Sequence, residues 1–140
     1  MSARFERERV AVAQFMPSNT RHVPARGGRD LWIFTKRTEV GVDFEIALYY
    51  DPDEQGYSAQ LVSPELERAW QNEHIGHIFK DGVICLGGPR SAWRAAPDML
   101  EVFGKACLWA EGIAVMIRSK ELGRPSEFPF SANNTEGEVS

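Results

Sequence analysis

His77–Trp93 reads HIFKDGVICLGGPRSAW, and the rest of the chain is best read outward from it. His77 and Gly82 stand just ahead of Cys85, one of only two cysteines in 140 residues. A cysteine on a Gly-flanked loop is a candidate nucleophile, because a thiolate attacks carbonyls and forms a reactive thioester. Taken alone, Cys85 reads better as a small buried hydrophobe, since a single cysteine carries little specificity. Its neighbours decide between the two. They come in a set order: His77, Gly82, Ile84-Cys85-Leu86, then Trp93 eight residues after the cysteine.

This order resembles the active-site segment of the ubiquitin-conjugating enzymes, whose pattern is a His-Pro-Asn triplet, a short loop, Gly-x-Ile-Cys-Leu and a tryptophan eight residues on. By that resemblance Cys85 is the thioester-bearing cysteine, and His77, Phe79, Gly82 and Trp93 support the active-site loop. Two departures stand out. The triplet reads His77-Ile78-Phe79, and the His-to-Cys loop is two residues shorter than in the family. The family asparagine is proposed to steady the oxyanion during amine attack, and Phe79 has no side-chain donor for that. Backbone N–H groups, His74, His77 or Asn72 are the candidate substitutes. The histidine and aromatic residue in place of the triplet resemble compact, divergent prokaryotic members found in antiphage defence operons.

The segments before the motif fit an antiparallel meander. Leu31–Thr35 is β-branched and aromatic, Phe44–Tyr50 alternates, and Tyr57–Val62 follows the clear turn Asp51–Gly56. Pro17–Gly28 reads as a loop, and Glu65–Glu73 as one or two helical turns. Upstream, residues 2–16 pass from alternating charge to Val10, Val12, Phe15 and Met16, which predicts a short amphipathic helix, with a strand over VAVAQFM as the other reading of its alternation. The resemblance gives Arg4, Arg7 and Arg9 on this helix a role in docking an activating enzyme. The plainer reading is a solvated face with i,i+4 pairs.

Downstream, Gly87-Gly88-Pro89 makes a turn beside the cysteine. Pro97-Asp98 opens a long helix in which Met99, Val102, Phe103, Ala106, Ala110, Ile113, Ala114 and Ile117 recur at helical spacing. That helix should pack across the sheet, with Trp109 and Cys107 in packing roles. Gly104 and Gly112 each cost about 1 kcal/mol relative to alanine in a helix interior; Gly112 either admits a close approach or breaks the helix in two. Gly123 and Pro125 end it. The expected fold is therefore α+β: an N-terminal helix, an antiparallel β-meander, a long active-site loop and C-terminal helices, the layout of the ubiquitin-conjugating fold. Residues 1–130 form the expected single domain, and 131–140 a disordered polar tail.

Composition narrows the function classes. A net charge of −4 and a pI of about 5.4 argue against a nucleic-acid binder. No apolar run approaches the roughly 20 residues of a membrane span, and MSARFERERV lacks the apolar stretch of a signal peptide. Two cysteines without metal-ligand spacing point to a reducing compartment, the cytoplasm, and to no metal site. The resemblance implies no cofactor. It implies three partners: a separate adenylating (activating) enzyme, a ubiquitin-like modifier or a nucleotidyltransferase C-terminus as cargo, and a target protein. The family's acidic gate, which helps deprotonate the attacking amine, has only Asp98 as a candidate. Two alternatives stand beside the enzyme: a non-catalytic binding module of the same fold, and an unrelated cysteine hydrolase pairing Cys85 with His74 or His77.

Overall fold

The computed structural model describes residues 2–87 and 93–129. It is α+β, with an N-terminal helix, a four-stranded antiparallel sheet and a C-terminal helix. The N-terminal helix α1 spans Ala3–Phe15, with the Ser2 hydroxyl capping its first turn by accepting from Phe5 N–H. The strands follow as β1 (Arg21–Pro24), β2 (Asp30–Arg37), β3 (Asp43–Asp51) and β4 (Gly56–Ser63), hydrogen-bonded in sequence order. The expected Pro17–Gly28 loop is thus corrected. Its middle is the edge strand β1, which ends in Pro24 and is too short and exposed to show an alternating apolar pattern. The expected helical turns at Glu65–Glu73 reduce to one 3-10 turn, Arg68–Trp70.

The register puts matching residues on one face. Trp32 lies opposite Leu48, Phe34 opposite Ile46, and Leu48 opposite Ala59. Because side chains alternate across a strand, these rows form one continuous apolar face. The helix α2 (Met99–Glu121) lies on that face, with Phe103 edge-on to Phe34 and Trp109 edge-on to Phe44. Asp98 caps it by accepting from Leu100 N–H, so Pro97 precedes the cap and does not occupy the first helical position. Arg118 donates to the carbonyls of Val40 and Gly41 in the β2–β3 turn, tying the far end of α2 to the sheet. Among the described residues the C-terminal helical region is this one helix, unbroken at Gly112. Trp109 is buried in the core as expected, and Cys107 is half-buried against it.

The N-terminal helix packs on the same face through Phe5, which stacks on Trp32. Its Glu8 is 4% exposed and accepts from Trp32 Nε1 at 2.9 Å and from Tyr57 Oη at 2.7 Å. A buried carboxylate is costly unless hydrogen-bonded, and these two donors satisfy it. Among the described residues, no helix is long and apolar enough to cross a membrane. The expected 131–140 tail and Gly88-Pro89 of the glycine turn lie outside the described residues.

Candidate functional site

Cys85 sits at the root of a small hairpin on the free edge of β4. Asp81-Gly82 is a turn pair, and Gly82 takes φ +90°, the left-handed region open to glycine. Gly82 N–H donates to the Phe79 carbonyl, and Phe79 N–H to that of Val83. Cys85 N–H then donates to the His77 carbonyl at 3.0 Å, closing the hairpin two residues further down. The same strand of the hairpin extends the sheet: Leu61 N–H donates to Gly82, and Ile84 N–H to Ala59. Ala96 pairs with Tyr57 further along β4, and Leu86 N–H donates to Trp93, so the segment after the cysteine returns to the same edge.

Four of the expected site residues therefore belong to one unit: His77, Phe79, Gly82 and Cys85. Trp93 joins through its backbone. Its indole is 62% exposed, with the Lys105 ammonium 5.9 Å from the ring centre. Cys85 itself is 6% exposed.

His77 is buried and adopts φ +54°, uncommon for a residue with a Cβ. Its Nδ1 lies 2.7 Å from the Glu73 carbonyl, which can only accept, so Nδ1 carries the proton. Burial pushes this imidazole below its ordinary value, and nearby His74 adds to that; the Glu73 hydrogen bond opposes them without cancelling them. Its ring meets Phe128 edge-on at 4.5 Å.

The candidate substitutes for the triplet asparagine are mostly committed elsewhere. Asn72 Oδ1 accepts from His74 and Ile75 N–H, and its Nδ2 donates to Ala69. The N–H groups of Ile84, Cys85 and Leu86 are held by Ala59, His77 and Trp93. His74 is exposed. Asp98 serves as the cap of α2. On α1, Arg4 stacks over Tyr50 and pairs with Glu8, Arg9 pairs with Glu6, and Arg7 is exposed.

Sequence reasoning missed the brace around Phe79. Arg94 pairs with the Asp81 carboxylate while its guanidinium lies 4.5 Å over the Phe79 ring, and Asp81 also accepts from Val83 N–H. Partial burial pushes the Asp81 carboxyl up, but the Arg94 and Val83 hydrogen bonds and the Arg94 charge outweigh it and hold it below the usual carboxylate range. The Asp-Gly pair was the available signal for the turn; nothing in the spacing marked Arg94. Beside this turn an open cleft of about 400 Å³ runs between the end of β4 and the hairpin, lined by Leu61, Pro64, Leu66, Ile78 and Phe79. Among the described residues, no group of three or more His, Cys, Asp or Glu is placed to hold a metal ion.

No protein-family model, no curated protein and no solved structure matches this chain.

Proposed function

We propose that this protein is a cysteine thioester carrier of the ubiquitin-conjugating type, acting in the cytoplasm and in bacterial antiphage defence. The observation that carries the reading is the Cys85 hairpin: the motif residues His77, Phe79, Gly82 and Cys85 form one unit on the edge of β4, between the meander and α2. The Cys85 thiolate attacks the carbonyl carbon of a modifier held as a thioester on an activating enzyme. The new S–C bond forms on Cys85, and the activating enzyme's thiolate leaves. An amine of the target then attacks the same carbonyl, losing its proton to solvent or a nearby base. The C–N bond forms, and the Cys85 thiolate leaves. ATP is consumed in the preceding adenylation, so the carrier itself needs no cofactor. The exposed arginines of α1 are the proposed contact for the activating enzyme.

The carrier step is better supported than rapid transfer. An oxyanion needs donors aimed at it, and the N–H groups of Ile84–Leu86 are already engaged. Charging is therefore expected to outpace discharge onto free lysine.

The burial of Cys85 favours a second reading, a binding module of the same fold that does not turn over. One assay separates the two. The protein is mixed with ATP and the activating enzyme and modifier encoded nearest its gene, then run on reducing and non-reducing gels. The expected result is a band heavier by one modifier, lost with reductant, absent in Cys85→Ala and reductant-resistant in Cys85→Ser. Tight binding to a partner without any adduct would replace the carrier with the binding module. Release of free acid from a peptide or thioester without an activating enzyme would point to the hydrolase.

A further inference from the structure

Gly112 stands in the interior of α2, where glycine is an unfavourable helix residue. A Cβ built there would lie 2.3 Å from the Phe128 ring, so the missing side chain is the seat for Phe128. From this notch the Phe128 ring reaches the edge of His77 at 4.5 Å. His77 in turn holds the Cys85 N–H on its carbonyl, and its own Nδ1 is held by Glu73. A line of direct contacts thus runs from the segment after α2 to the backbone of the candidate nucleophile. It meets that nucleophile where Cys85 is 6% exposed, although a carrier has to present its thiol to another enzyme.

We propose that Phe128 is a latch. Seated in the Gly112 notch and against His77, it keeps the Cys85 hairpin closed, and its withdrawal exposes Cys85 for the incoming thioester. The functional meaning of the latch rests on the carrier reading; the latch itself does not.

The test needs no modifier and no activating enzyme, so the two ideas fail separately. The full chain and its Phe128→Ala variant are compared by hydrogen exchange at the Cys85 amide and by iodoacetamide alkylation of Cys85, with Cys107 as the internal reference. Cys107 lies on α2, half-buried, outside the proposed line of contacts. In Phe128→Ala, exchange and alkylation at Cys85 should both rise by roughly tenfold or more, as expected for a local opening, while Cys107 stays within twofold or so of its starting rate. Gly112→Ala should copy this result by evicting the ring. It should also lower the melting temperature, whereas Gly104→Ala, whose new Cβ meets nothing within 4 Å, should raise it. Placed in the Phe128→Ala background, Gly112→Ala should stabilise. Unchanged Cys85 rates in both Phe128→Ala and Gly112→Ala would overturn the latch. So would a parallel rise at Cys107, which marks global loosening, or a Gly112→Ala change that stabilises the otherwise unaltered chain.

Discussion

His77 meets several constraints at once: a left-handed backbone, a buried ring, a proton fixed on Nδ1 and a carbonyl that holds Cys85. Its burial sets a pH dependence. In the unfolded chain the imidazole takes up a proton near its ordinary value of 6.5, whereas in the fold it resists protonation until lower pH. The unfolded state therefore binds more protons on acidification, and stability falls. The contribution of His77 is complete above pH 6.5 and is lost as the pH drops through the folded value. The ring protons of His77 should titrate below 6.5 by NMR. The loss of unfolding free energy between neutral and mildly acidic pH should shrink in His77→Asn, since asparagine tolerates the left-handed backbone. A titration at or above 6.5 would show that burial does not govern the ring and that the hairpin is looser than its hydrogen bonds imply.

At the scale of elements, the docking of α1 depends on one buried group. Glu8 accepts from a strand β2 donor, Trp32, and a strand β4 donor, Tyr57, and so ties the helix to two strands. Burial, with the Glu8 hydrogen bond and charge, raises the Tyr57 phenol, so Tyr57 keeps its proton and donates to Glu8 through the physiological range. Glu8→Ala leaves the buried Trp32 donor and the half-buried Tyr57 donor unmatched and should cost about 3 kcal/mol. Glu8→Gln keeps an acceptor oxygen and should cost about half of that. Urea unfolding of the three proteins checks the order; an alanine variant as stable as the parent would mean that water replaces the carboxylate. The exposed arginines of the same helix are a different matter, since surface pairs such as Arg9–Glu6 are worth about 0.2–1 kcal/mol.

At the scale of the whole molecule, both helices pack on one face of one sheet and share one contiguous apolar core, from Met16 through Phe34 and Leu48 to Ile113 and Met116. Among the described residues these side chains make one cluster. Far-UV circular dichroism and tryptophan fluorescence should therefore melt together, as for a two-state unit. Trp32 reports where α1 docks and Trp109 where α2 packs on Phe44. Separated transitions would show that α1 or the Cys85 hairpin opens as its own unit.

The elements that carry their own periodicity were legible from the residues. The heptad-like run from Met99 to Ile117 was enough for α2, and the alternation in Phe44–Tyr50 for β3, because a side chain's face follows from the backbone repeat alone. The order of His77, Gly82, Cys85 and Trp93 placed the candidate site in the chain. Strand β1 was not legible: an edge strand is defined by its partner's hydrogen bonds, and Arg21–Pro24 has almost no buried face to reveal it. Tertiary structure alone decided the rest. Gly112 was open to two readings until Phe128 was seen in its notch, and Glu8 looked like one charge among many until Trp32 and Tyr57 closed on it. The burial of Cys85 and the engagement of its neighbouring N–H groups belong to the same class. Each depends on contacts made outside any one element's repeat, and such contacts leave no local periodicity for a sequence to display.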